Sequence, residues 1–172
     1  MPAPLSVSVN FGCNPARINL ALPIMDFPTF DENFDPAIFI KFMAKRGHNG
    51  MLGARYHAFG ADWVELALPW REDLVSDAET GILASGPIFT LMDMATSMSI
   101  WLKRRTFEPQ ATLDLRIDYL RPAEPGKTVI GHGECYHVTR SVAFVRGQAH
   151  DGDPARPIAH VAGTYFFTGP MA

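Results

Sequence analysis

The chain has 172 residues, 47% of them apolar, with a formal charge of −3 and two cysteines. That length fits one domain able to bury about 70% of its unfolded surface. With no basic run longer than Lys103-Arg104-Arg105 there is no electrostatic footprint for nucleic acid, and no stretch approaches the roughly 18 apolar residues of a membrane span.

Residues 1–33, rich in Pro, Asn and Gly, read as an irregular arm, and residues 34–172 as a single domain. Asp35-Pro36 has the form of an N-cap and a first-turn proline. Behind it Ile38, Phe39, Phe42 and Met43 make an apolar stripe, so a helix is expected over about 36–46, stopped by Gly47. The period then changes to two. Residues 51–59 and 63–70 are strand candidates joined by a hairpin at Gly60-Ala61-Asp62, with Val64, Leu66 and Leu68 on one face. A polar loop over 71–80 leads to a second helix, about 87–104, with Pro87 in its first turn.

That second helix is the anomaly of the chain. Ile88, Phe89, Leu91, Met92, Met94, Ala95, Met98, Ile100 and Trp101 leave almost no polar side, the mark of a buried helix. Yet it carries Asp93, whose neighbours three and four residues away are Thr90, Phe89, Thr96 and Ser97, with no cation among them. A carboxylate there is costly without partners. It is either satisfied by the local hydroxyls or kept for chemistry.

Four more strands follow at about 111–120, 128–138, 141–150 and 157–168. In the first, Leu113, Leu115, Ile117 and Tyr119 alternate with Thr112, Asp114, Arg116 and Asp118. Short turns between them imply antiparallel neighbours. The expected fold is α+β: six twisted strands wrapped around the buried helix.

This pattern resembles the hotdog fold, and within it the PaaI-like acyl-CoA thioesterases. Three places carry the resemblance: Gly81-Ile82-Leu83-Ala84-Ser85-Gly86-Pro87 with Leu91-Met92-Asp93, the strand and turn over 111–123, and the turn over 138–144. It covers roughly residues 50–168. The sequence departs from the family pattern in two places: Ala84-Ser85-Gly86 stands where H-G-G is expected, and Asp77-Ala78-Glu79 where some relatives carry an Asn.

Thioester hydrolysis requires a group that attacks the carbonyl or activates water, and donors for the oxyanion. The helix mouth at Ser85-Gly86 offers backbone N–H groups and the positive dipole end. Asp93 suits a general base or a nucleophile, but it lies about two turns, roughly 10 Å, along the same helix. The resemblance implies that two copies combine, the mouth of one facing Asp93 of the other in a homodimer, plausibly a dimer of dimers. It further implies that Thr112 places a hydroxyl beside the carboxylate. Ala84, Ser85, Glu79 and Phe89 would contact substrate, with Phe89 and Met92 along the acyl tail. Arg121, Pro122, Ala123, Arg140 and Ser141 would hold the nucleotide part of coenzyme A. No cofactor beyond the coenzyme A thioester is expected. The competing reading is a non-catalytic acyl-CoA-binding or regulatory domain.

Other chemistries find less footing. There is no G-x-S-x-G. No metal site is expected, since His132 and His137, five apart on one strand, should face opposite ways. Cys13 and Cys135 read as free thiols, and with no secretory pattern at the N-terminus the expected compartment is the cytoplasm.

Overall fold

The computed structural model describes residues 47–169, together with Asp35, Ala37, Ile38, Lys41 and Lys45. The arm expected over 1–33 lies outside the described residues. Of the helix expected over 36–46, Ala37, Ile38 and Lys41 have helical backbone, and Asp35 Oδ1 accepts the Ala37 N–H at 2.8 Å as an N-cap does.

The described chain runs α1 (Gly47–Leu52), β1 (Arg55–Phe59), β2 (Trp63–Leu68), β3 (Val75–Asp77), β4 (Ile82–Leu83), α2 (Ser85–Arg104), β5 (Gln110–Tyr119), β6 (Val129–Val138), β7 (Val142–His150) and β8 (Ala159–Phe167). Six strands form one antiparallel sheet in the order β1-β2-β6-β7-β8-β5. α2 packs across its inner face. This is the hotdog arrangement, with the strands close to their expected places. No helix among the described residues is long and apolar enough to cross a membrane.

Three local expectations are corrected. Residues 51 and 52 belong to the one-turn helix α1, which buries Leu52, so β1 begins at Arg55. The loop over 71–80 is not wholly irregular: it contains a 3-10 turn, and β3 pairs with β4 as a small separate hairpin. Helix α2 starts two residues early, at Ser85, and ends at Arg105 in the left-handed conformation, with Lys103 and Arg104 in its last turn.

The core explains why α2 can lie so close to the sheet. Val64, Leu66 and Leu68 of β2 are fully buried, as are Leu91, Met92 and Ala95 of α2. At the crossing point the sheet carries Gly133, where an added Cβ would stand 2.5 Å from the Ala95 carbonyl carbon and the Thr96 amide nitrogen. Met92 fills the space left by two further glycines, its Sδ and Cε lying 3.0 Å from where the Cβ atoms of Gly131 and Gly147 would be. Met92 is therefore part of the core.

The helix is not buried all round. Gly86 and Phe89 are exposed and Thr90, Asp93 and Ser97 half-buried, so one stripe of α2 stays open. The outer sheet face carries a shallow groove lined by His132, Glu134, Arg146, Gln148 and His160, on the side away from Asp93. A β-bulge between Cys135 and His137 also brings His137 onto that outer face with His132, against the strict alternation expected.

Because the contact at Gly133 is backbone against backbone, Gly133→Val should destabilise the fold by about 2–3 kcal/mol. Thermal unfolding should show this as a lowered midpoint.

Candidate active site around Asp93

The carboxylate does not use the hydroxyls of its own helix. Thr96 Oγ1 lies 2.8 Å from the Met92 carbonyl, and Thr90 Oγ1 lies 3.2 Å from that of Gly86. The partners come instead from two strands. Thr112 Oγ1 of β5 donates to Asp93 Oδ1 at 3.0 Å, and Tyr165 Oη of β8 donates to the same oxygen at 2.8 Å. Oδ2 accepts no hydrogen bond among the described residues.

A bulge makes this possible. Thr112 pairs with Tyr165, but the next pair is Asp114 with Thr164, so Leu113 is the extra residue in β5. The alternation is reset there. Thr112 joins the inward side with Leu115 and Ile117, rather than the polar side with Asp114, Arg116 and Asp118 as expected. Leu113 is left 61% exposed. Gly163 gives the bulge room, since a Cβ there would lie 2.6 Å from the Asp114 carbonyl oxygen.

Tyr165 is the residue that sequence reasoning missed. Its side chain is 1% exposed, and its Oη also lies 2.8 Å from Thr96 Oγ1. Burial, and then the neighbouring Asp93 charge, hold the phenol well above its ordinary pKa, so it keeps its proton. The one available signal was its place in the inward row Ala159, Val161, Gly163, Tyr165, Phe167, the only hydroxyl there.

The helix mouth is formed as expected. Ala84 is the N-cap and makes no side-chain cap bond, and its own N–H goes to the Leu74 carbonyl at 2.9 Å. In a helix capped at Ala84 the N–H groups of Ser85 and Gly86 precede the first intrahelical bond. Gly86 is exposed, with no atom within 4 Å of a would-be Cβ. Tyr119 Oη donates to the Ser85 carbonyl at 2.9 Å, tying the far end of β5 to the mouth. Phe89, 42% exposed, sits on the open stripe between the mouth and Asp93. Glu79 is exposed in the β3–β4 turn, its N–H bonded to Asp77 Oδ1 at 3.2 Å, and its side chain makes no contact with Asp93.

The residues expected to hold the nucleotide are not brought together. Arg121 follows β5, and its N–H bonds Ile158 just before β8; Ser141 lies at the other end, where its carbonyl accepts from Phe167. Nine residues of strand separate the two places, roughly 30 Å. Arg121 forks onto Asp151, with Nη1 2.8 Å from Oδ2 and Nη2 2.6 Å from Oδ1, and also donates to the Pro122 and Arg156 carbonyls. Ala123 is 2% exposed and part of the core. Both terminal nitrogens of Arg121 are thus engaged within the protein. Pro122 and Arg140 are exposed and Ser141 half-buried.

A family model described as the thioesterase superfamily matches residues 80–158, which include Asp93 and Thr112 but not Tyr165. A crystallised protein of Pseudomonas aeruginosa is 39% identical, over 77% of this chain and 98% of that one, with a TM-score of 0.70. A thioesterase from Haemophilus influenzae shares the fold at 17% identity and TM-score 0.71, over 82% of this chain and 95% of its own. So does a mutant of the phenylacetic acid degradation protein PaaI from Thermus thermophilus, at 23% identity and TM-score 0.59, over 69% and 96%. No curated protein gives a significant match.

The Arg121 clamp yields a pH prediction. Its hydrogen bonds hold the Asp151 carboxyl well below the usual carboxylate range. Folding thus gains stability that is complete above the ordinary value near 4 and is lost as pH falls through the lower folded value. Asp151→Asn should cost about 3 kcal/mol at pH 7. Urea unfolding should find the two proteins converging in stability below about pH 4.

Proposed function

The chain belongs to the thioesterase superfamily, and from that premise we propose that it hydrolyses an acyl-CoA thioester at Asp93. The observation that carries the reading is the carboxylate itself: half-buried on the open stripe of α2, fixed through Oδ1, with Oδ2 accepting no hydrogen bond among the described residues. Oδ2 either takes the proton of a water whose oxygen bonds to the acyl carbon, or itself bonds to that carbon. In the first route the C–S bond then breaks and the proton passes to the departing thiolate, giving a carboxylic acid and the coenzyme A thiol. In the second the C–S bond breaks to leave an acyl–Asp93 anhydride and the thiolate; water then cleaves the anhydride, releasing the carboxylic acid, freeing Oδ2 and supplying the proton that the thiolate takes up.

The oxyanion that forms is received by the N–H groups of Ser85 and Gly86 at a helix mouth. Asp93 and Gly86 are seven residues apart, roughly 10 Å by helical rise, so one carbonyl does not reach both within a protomer. A second copy supplying the mouth resolves this. Two features support such a homodimer. β5 is an edge strand of the sheet, and Phe89, Leu113, Tyr119 and Leu120 are large apolar side chains left exposed on it and beside it. The loss of H-G-G does not remove the donors, which are backbone. The nucleotide part is met by Arg140 and Ser141, with Arg121 holding the turn that carries Pro122 rather than binding phosphate.

The test is free-thiol release from a panel of acyl-CoAs. Wild-type protein should turn over at least one, and Asp93→Ala should lower kcat by roughly a thousandfold with melting temperature and oligomeric state unchanged. Retained turnover would remove Asp93 from the mechanism. Saturable acyl-CoA binding without any thiol release would favour the non-catalytic reading.

A further inference from the structure

We infer that Tyr165, together with Thr112, is a positioning residue that holds Oδ1 of Asp93 and thereby commits Oδ2 as the oxygen that meets the substrate. The inference rests on the reading of Asp93 as the working carboxylate, and it adds a residue outside the stretch that the family model matches.

The geometry is unequal by construction. The final torsion of an aspartate is soft and roughly two-fold, so a free carboxylate would present either oxygen. Here two donors from neighbouring strands converge on one of them, at 3.0 and 2.8 Å. Both come from a single cross-strand pair, Thr112 with Tyr165. One contact places both hydroxyls. The Tyr165 ring is buried and cannot swing away, and Gln110, two residues before Thr112, ties the start of β5 to the helix through Nε2 to the Ser97 carbonyl at 2.7 Å.

Proton counting gives the direction of the chain. Each hydroxyl has one hydrogen to donate. The charged carboxylate is the strongest acceptor within reach of Tyr165, so the phenol proton goes to Oδ1. Thr96 Oγ1 lies 2.8 Å from the phenol oxygen and equally 2.8 Å from the Met92 carbonyl, which accepts its single hydrogen. The Tyr165 donation to Oδ1 does not depend on it. Because the phenol keeps its proton, Tyr165 is a permanent donor and not a base.

The surroundings leave the carboxylate to these two hydroxyls. His48 of α1 reaches Thr90, one turn earlier, at 3.3 Å. Cys135 of β6 stays a thiol, since burial pushes it up to about 11. Asp114 lies on the outer side of β5, and the residues β2 and β7 bury toward the helix, Val64, Leu66, Leu68, Ala143 and Val145, are apolar. Among the described residues no cation contacts Asp93.

The experiment compares Tyr165→Phe, Thr112→Val and Thr112→Ser with wild type, recording melting temperature, kcat and KM. Loss of either hydroxyl should lower kcat roughly ten- to hundredfold with KM nearly unchanged, and Thr112→Ser should restore kcat. A folded Tyr165→Phe with unchanged kcat would overturn the inference. Should Tyr165→Phe not fold, the Thr112→Val and Thr112→Ser pair decides it by the same criteria. A second readout separates this failure from failure of the thioesterase reading. Crystal structures of Thr112→Val and Tyr165→Phe should show the Asp93 carboxylate turned or spread about its final torsion, whether or not any thioester is turned over. A carboxylate that keeps its orientation in both contradicts the inference on its own.

Discussion

A carboxylate in the middle of a largely apolar helix sets the terms for this structure. Taking a carboxylate partly out of water is unfavourable, and the cost is offset only by donors with good geometry. Two such donors reach Asp93, and both land on one oxygen. Much of the local architecture serves that arrangement. The bulge at Leu113 turns Thr112 inward, Gly163 leaves the bulge space, and Gly133 lets the helix backbone settle against the sheet within three residues of the carboxylate. The half-satisfied carboxylate, with one oxygen held and the other open, is the feature on which the proposed role of Asp93 rests. A purely structural role would be expected to engage both oxygens.

The departure from the family motif matters less than its prominence implies. A histidine and a glycine are replaced by Ala84 and Ser85, but the chemistry of a helix mouth resides in N–H groups that any residue except proline supplies. The third position keeps Gly86, and no described residue crowds it. Proline appears one step later, at Pro87, where it has no donor to lose. The mouth is braced from outside by the Tyr119 hydroxyl and by the turn that Arg121 and Asp151 clamp.

The architecture was largely legible in the order of residues, because periodicity is a local signal. A period of two marked each strand of the main sheet, and the dense apolar run around Asp93 marked the central helix. What escaped were features that depend on pairing across strands. No local pattern tells that Leu113 is extra in its ladder, and so Thr112 appeared to share a face with Asp114. The same blindness placed His132 and His137 on opposite faces, until the bulge at Tyr136 is seen. Tyr165 was hidden for a related reason: 72 residues separate it from Asp93, and only the register of β8 against β5 brings it there. Arg121 shows the reverse error. Its position fits a phosphate ligand, but Asp151, thirty residues on, takes its donors.

The most direct measurement is a crystal structure with a non-hydrolysable thioether analogue of an acyl-CoA. The account predicts the analogue's carbonyl carbon beside Oδ2 of Asp93, with Oδ1 still bonded to Thr112 and Tyr165, and the carbonyl oxygen at the Ser85 and Gly86 N–H groups of a second copy. An analogue seated away from α2, or one that meets the carboxylate through Oδ1 with Tyr165 displaced, would contradict it.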